Sequence, residues 1–245
     1  MEDGDLYRSY DKIFITDISV SDSVANMIDI LDRVDRRVQL FDHHGTALFL
    51  NKYDWCMINE YIYLANIIKT CGTELFCVYA LWPEYLNICT PYARTKILNF
   101  VTVVRNYDTW CWKELGNIGL TSKQMNDLFH IYGREKFIDW AMKRIQHQDE
   151  WFSETDMLLL DQKQKDIDIY VEEKNKQIKK FTDQWGNSYG VVFAERYFSE
   201  LGNQLCEMNP DLAYVAMIDI SNGRVSYRSI RDNINLGTEI AHNYG

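Results

Sequence analysis

The sequence has no Cys-x-x-Cys pair, no long apolar run and no surplus of basic charge, and each absence removes a class of function. Its six cysteines, Cys56, Cys71, Cys77, Cys89, Cys111 and Cys206, stand singly. They give no paired signature of a zinc or disulfide framework, and with no signal peptide in view the expected compartment is the reducing cytoplasm. No apolar stretch is long enough for a bilayer, so no membrane partner is expected. The 26 Lys and Arg are outnumbered by 36 Asp and Glu, giving a net charge of -10. That argues against a protein that coats long duplex nucleic acid with a broad basic surface. It leaves open a small phosphate ester held through metal ions. Internal repeats and low-complexity tracts are also missing. What remains is ample for a packed core: 245 residues with 47% hydrophobic and 14% aromatic content, enough for one large domain or two smaller ones.

The most informative stretch is Phe41-Asp42-His43-His44-Gly45-Thr46-Ala47. An apolar run, Val38 to Phe41, ends in a carboxylate and two adjacent imidazoles, and a glycine then lets the backbone turn. A carboxylate and imidazole set without thiolate suits Mn, Fe, Zn or Mg. The same letters would also serve an ordinary surface loop, so the rest of the chain has to decide.

Lys12 to Asp17 reads as a buried strand closed by Asp17, because a continuous apolar run fits a parallel strand covered on both faces. Ser19 or Ser21 then caps a helix whose apolar positions are Val24, Met27, Ile28 and Leu31. With Val38 to Phe41 this makes a βαβ unit, which sets Asp17 and Asp42 at the carboxyl edge of one sheet, where open α/β sheets bind ligands. Thr46 to Trp55 is expected to be extended, Tyr61 to Ile68 helical, and Gly72-Thr73-Glu74 to open a helix through Trp82 whose first N–H groups face an anion. Pro83 and Pro91 bracket a connection. Tyr92 to Arg105 is a helix delivering Asn106-Tyr107-Asp108-Thr109-Trp110, in which Asp108 is either a ligand or a plain turn residue. Asn126 to Phe129 and Glu135 to Ile145 continue in helical register.

Composition shifts at Asp149 to Asp183, where Leu160, Ile167, Tyr170, Val171, Ile178 and Phe181 mark one buried stripe among charges. The resulting organisation is an α/β fold in three parts: a parallel-sheet domain with flanking helices over 1–148, a connecting helix over 149–185, and a smaller C-terminal α/β domain over 186–245. In the last part Tyr189 to Ala194, Ala213 to Asp219 and Arg224 to Ser229 read as strands, with a helix around Leu201 to Glu207. Alternation puts Ser226 and Arg228 on one side of the final strand, where an arginine can clasp a phosphate; Ser229 and Arg231 lie beside them. A solvated surface strand would have the same pattern.

Taken in order, Ile15-Thr16-Asp17, Asp42-His43-His44, Gly72-Thr73-Glu74, Tyr107-Asp108-Thr109 and Ser226-Tyr227-Arg228-Ser229 resemble the DHH phosphoesterase superfamily with its DHHA1 domain. The match is similar above all to the oligoribonucleotide and cyclic-nucleotide phosphodiesterases of that group, and it spans nearly the whole chain. The resemblance implies a metal-dependent hydrolase using Mn2+ or Mg2+, in which water activated between two divalent ions attacks the phosphodiester of a short RNA or nucleotide. It implies Asp17, His43 and Asp108 as metal ligands, Asp42 and His44 as supporting catalytic groups, and Arg228, Ser226 and Ser229 as substrate contacts.

The resemblance is incomplete at both ends. The family's His-x-Asp-x-Asp-Gly strand is missing upstream of Asp17, and Asp3-Gly4-Asp5 sits too close to Asp17 to replace it. The Gly-Gly-Gly-His segment is missing beyond Tyr244-Gly245. The expectation is a fragment or a degenerate relative, with three protein ligands for one ion and one for the other. An uncovered edge at the Asp17 strand would invite self-association into a homodimer. Three functions follow as expectations: an active or weakened phosphodiesterase, a nucleotide binder without turnover, or an interaction module.

Overall fold

The computed structural model describes residues 9–63, 67–147, 150–231, 234 and 236–242. It is a mixed α/β protein whose chain divides into two compact units, Met1–Ser153 and Glu154–Gly245. The first unit is organised by β1 (Ile13–Thr16), α1 (Asp22–Asp32) and β2 (Val38–Asp42). β1 and β2 pair in parallel from Ile13 against Val38 to Thr16 against Phe41, and β3 (Cys56–Ile58) adds a further parallel strand beyond β2. β1 therefore lies at an edge of the sheet order β1-β2-β3. β2 is central and buried on both faces. Leu40, Ala25, Leu50 and Ile58 fill one layer, and Phe41, Ile62 and Leu75 the other. Each such fully buried Leu or Ile contributes about 1.5–3 kcal/mol.

Ser21 caps α1 through its hydroxyl to the Val24 N–H, as its position predicts. The inward face is not the expected one. Met27 and Leu31 are 55% and 52% exposed, while Ala25 and Ile28 pack inward. The buried Asp32 explains this: its carboxylate accepts the N–H groups of Arg37 and Val38 at 2.7 and 2.9 Å, and Ile28 and Ala25 share its face of the helix.

Three further expectations are corrected. Gly45–Lys52 forms tight helical turns rather than an extended run, with Ala47 and Leu50 turned inward. Tyr61–Tyr63 and Ile67–Lys69 pair as an antiparallel hairpin, β4 and β5, instead of a helix; Leu64 to Asn66 lie outside the described residues, as does Asp3-Gly4-Asp5. Two tyrosines flanking an isoleucine satisfy strand alternation as well as helical spacing, and the partner strand decides. The helix that opens at Gly72, α2 (Gly72–Phe76), does not stop before Pro83 but runs on as a wider helical stretch over Cys77–Leu86. Proline has no N–H to give, so the ladder widens around it instead of ending.

Thr90 caps α3 (Pro91–Asp108), with Pro91 in the first turn, and Asp108 is its last residue. Trp110 takes a left-handed conformation (φ 64°) that turns the chain toward α4 (Gly116–Tyr132) and α5 (Arg134–Gln146). Gly133 (φ 72°) separates those two helices.

The second unit starts with α6 (Glu154–Gln177), which ends well before Asp183. Lys179–Thr182 leaves the helical stripe as β6 and pairs antiparallel with β7 (Ser188–Phe193). β7, α7 (Phe198–Met208) and β8 (Tyr214–Asp219) form a second parallel crossover, and β9 (Arg224–Arg228) closes the sheet antiparallel to β8. Ile167 and Val171 of α6 join Leu201, Leu205, Val192, Val215 and Met217 in one core. Among the described residues no helix is long and apolar enough to cross a membrane, and the six cysteines are free.

Candidate metal centre

The carboxyl edge of the β1-β2 sheet gathers the expected side chains. Phe41 carbonyl accepts the Asp17 N–H at 2.9 Å, which carries the chain one step past β1 and into a left-handed conformation at Asp17 (φ 62°). For a non-glycine residue that conformation costs about 1–3 kcal/mol and has to be held by its surroundings. Gly72 provides part of the hold, its N–H donating to Asp17 Oδ1 at 3.3 Å. The anion expected at the start of α2 is therefore the carboxylate of Asp17 itself.

His43 Nε2 sits between two carboxylates, 3.0 Å from Asp108 Oδ2 and 3.4 Å from Asp17 Oδ1. It is buried and makes no aligned hydrogen bond to either. Asp42 is 0% exposed, and its Oδ1 accepts both the His43 N–H at 2.8 Å and His44 Nδ1 at 2.7 Å. Its second oxygen, Oδ2, is buried without a partner. Ligand atoms of Asp17, Asp42, His43 and His44 all lie within 4.8 Å of one another.

The electrostatics of the cluster follow from its burial and its neighbouring charges. Burial and the neighbouring Asp108 push the Asp17 carboxyl above its ordinary value, against the opposing pull of His43 and the Gly72 N–H. His43 is raised too, by Asp108 first and then by the charges of Asp17 and Asp42, against the effect of burial. A divalent cation would oppose both shifts, since it favours the ionised carboxylate and the neutral imidazole. Small divalent ions hold O and N ligands about 2.0–2.2 Å away, so neighbouring ligands stand about 3 Å apart at right angles and about 3.4 Å apart in a tetrahedron. The two separations at His43 fall in that range, and the orphaned Nε2 offers a lone pair where hydrogen bonding fails. The donor set fits a small, fairly hard cation. Cys71 adds no thiolate, since burial pushes its thiol up to about 12.

Beneath the cluster lies a buried polar network that sequence reading missed. Arg105 donates to Glu74 Oε1 at 2.8 Å and to Asn106 Oδ1 at 3.1 and 3.3 Å, and Thr70 donates to Glu74 Oε2 at 2.9 Å. It ties α2 to the turn of α3 just before Asp108, and so sets Asp108 relative to Gly72 and Asp17. Nothing in the spacing of Glu74 and Arg105 announces the pair; the available signal was a glutamate on an otherwise buried helical face. Beside the cluster opens a cavity of about 220 Å³ lined by His43, Glu60, Tyr61, Lys69, Thr70 and Thr109.

The expected substrate contacts belong to the second unit. Ser226 and Arg228 share the β9 face turned to α7, where Arg228 donates to Ser199 Oγ at 3.1 Å. The close approach is possible because residue 202 is glycine: a Cβ there would meet Arg228 Cγ at 2.4 Å. Ser229 is committed to the backbone, donating to Ala213 carbonyl at 2.7 Å and accepting the Arg231 N–H at 3.0 Å.

No protein-family model matches the chain. It is 32% identical over 238 residues to "Oligoribonuclease NrnB" of Bacillus subtilis (strain 168), an alignment covering 96% of the chain. The chain spans 56% of that relative's length. Among solved structures, a crystal structure of an uncharacterized protein from Helicobacter pylori G27 aligns over 89% of the chain and 69% of its own, at 16% identity and a TM-score of 0.39.

Proposed function

We propose that this chain carries the metal centre of a DHH-type phosphodiesterase that cleaves short oligoribonucleotides, with Mn2+ or Mg2+ as its cation. The observation that carries the reading is the buried His43 Nε2, set 3.0 and 3.4 Å from two carboxylates without an aligned hydrogen bond. The relative named as an oligoribonuclease supports the substrate class.

Asp17, His43 and Asp108 hold the cation, and a divalent ion there supplies Lewis-acid activation of water and neutralises charge on the phosphoryl oxygens. Asp42 orients both histidines: its Oδ1 grips the His43 backbone N–H and pairs with His44 Nδ1. The half-exposed ring of His44 then presents Nε2 to the substrate side, where it contacts the phosphate or its leaving oxygen. Lys69, exposed on the rim of the cavity beside His43, adds positive charge for the substrate backbone. In the second unit, Arg228 and Ser226 contribute phosphate contacts, with Ser229 holding the end of β9 in place.

The test is release of mononucleotides from RNA two to five nucleotides long, with Mn2+ and with EDTA. Activity should require the metal and fall at least about 100-fold in Asp108→Asn, as expected for loss of a ligand. Equal turnover by Asp108→Asn, or turnover in EDTA, would overturn the assignment.

A further inference from the structure

We infer that the cavity enclosed by α3, α4 and α5 is a nucleobase subsite, which rests on the phosphodiesterase reading for its substrate class. The cavity has a volume of about 420 Å³ and includes Asp108 in its lining. That size lies within the roughly 300–1,000 Å³ of small-molecule sites. The residue that faces His43 thus also lines the chamber, and a nucleotide whose phosphate lies at the metal centre can reach it with its base.

The lining says which occupant it fits. Phe100, Phe129 and Phe137 supply aromatic walls, and Val104 and Ile138 supply aliphatic ones. Tyr107, Asp108 and Ser122 add polar groups to the lining, and so do Asn126 and Arg134. Both sit on rigid helices: Asn126 is half-buried on α4, and Arg134 opens α5 at the mouth, positioned by the Gly133 turn. Among the described residues, neither side chain has a hydrogen bond or ion pair.

An aliphatic chain would leave the amide of Asn126 unanswered, which disfavours a lipid tail or an apolar peptide side chain. A planar ring with donors and acceptors on its edge answers both halves of the lining. Base stacking on aromatic side chains tolerates any sequence, so the three phenylalanines make a general subsite and Asn126 hydrogen-bonds the base edge. Arg134 at the mouth meets the sugar-phosphate backbone as it leaves the cavity.

The experiment is calorimetric titration of the full chain, in EDTA, with adenosine 5′-monophosphate and, as a baseless control, ribose 5-phosphate. The proposal expects the nucleotide to bind and the control to bind at least about fivefold more weakly, the lower end of what one stacked base contributes. Asn126→Leu and Phe129→Ala should each weaken nucleotide binding at least about fivefold without changing the affinity for ribose 5-phosphate. Phe129 is 39% exposed, so its truncation is tolerated by the fold, and thermal melts of both variants check this. No nucleotide binding, equal affinity for the two ligands, or unchanged nucleotide affinity in both variants overturns the proposal. Asp17→Asn separates it from the metal chemistry: hydrolysis should be lost and binding in EDTA kept. Base binding with no hydrolysis by any form would sink the phosphodiesterase reading alone, and hydrolysis without base binding would sink the subsite alone.

Discussion

The N–H of Gly72 points at the carboxylate of Asp17 across 55 residues of chain, and the space between them has no room for a methyl group. A Cβ on residue 72 would lie 2.6 Å from Asp17 N and 2.9 Å from both Asp17 Cα and Oδ1. Two of those three atoms are backbone, which cannot swing aside. Gly72→Ala should therefore displace Asp17 from its left-handed conformation or push α2 off the sheet edge. The expected cost is about 1–3 kcal/mol, typical of overpacking. The functional loss should be larger than that suggests, with Mn2+ affinity falling at least about tenfold. Thr73→Ala is the control. A melt combined with Mn2+ titration checks it, and unaltered Mn2+ binding in a folded Gly72→Ala protein would refute the close-approach argument.

Asp42 positions rather than reaches. Fully buried, it holds the His43 N–H and the His44 ring through one oxygen. Asp42→Asn preserves the shape but turns an anionic acceptor into a neutral amide with two donors of its own. Outer partners of metal-ligating histidines are worth about 10–100-fold in metal affinity or activity, and a loss in that range is expected here. The diagnostic readout is Mn2+ affinity beside kcat: if Asp42 orients His43 and His44, a folded Asp42→Asn protein should lose both. Unchanged Mn2+ affinity and kcat in a folded Asp42→Asn protein would assign Asp42 to packing alone.

The raised pKa of His43 makes the metal-free protein and the metal-bound protein respond to pH in opposite directions. Without metal, the protonated imidazole is favoured in the folded state by Asp108, Asp17 and Asp42. This stabilisation is fully present below the unfolded value near 6.5 and is lost as pH rises through the higher folded value. A bound cation needs the neutral imidazole, so apparent Mn2+ affinity should grow over the same interval, with proton release. Between pH 6 and 8.5 the Tm in EDTA should lose a component that His43→Gln lacks, while the Tm increment given by Mn2+ should rise. Identical pH dependence in wild type and His43→Gln would remove His43 from both roles.

How much of this was legible beforehand depends on whether a position is set by its neighbours in sequence. Asp17 and Asp42 could be placed at one sheet edge because each closes an apolar run, whereas Asp108, at a helix end that suits a plain turn equally well, was joined to them only by the family resemblance. The approach of Asp17 and Asp108 to His43 Nε2 needed the packing of α3 against that edge. The Gly72 contact, the Glu74–Arg105 pair and the inward turn of Asp32 could not be read, since each joins groups brought together only by packing. The hairpin Tyr61–Tyr63 with Ile67–Lys69 was lost for a related reason. Short apolar segments suit helix and strand alike until a partner strand is known.

Arg228 offers the last test, because its placement depends on a glycine that touches no substrate in the proposed scheme. The aliphatic stem of Arg228 lies against Gly202, where an added Cβ would meet Arg228 Cγ at 2.4 Å, Met217 Cε at 2.7 Å and Arg228 Cβ at 2.9 Å. Met217 is fully buried and has little freedom to yield, so the arginine should move, breaking its 3.1 Å hydrogen bond to Ser199. If the guanidinium holds a substrate phosphate, Gly202→Ala should raise KM for short RNA about as much as Arg228→Ala does. Loss of one charge-assisted contact of about 1.5–3 kcal/mol corresponds to a KM increase of roughly 10- to 150-fold. Mn2+ affinity should stay unchanged in both variants, since every proposed ligand lies in the other unit. Arg228→Lys should recover only part of the loss, because an ammonium cannot reproduce the paired donors of a guanidinium. Wild-type KM in Arg228→Ala would mean that Arg228 serves α7 through Ser199 and nothing more.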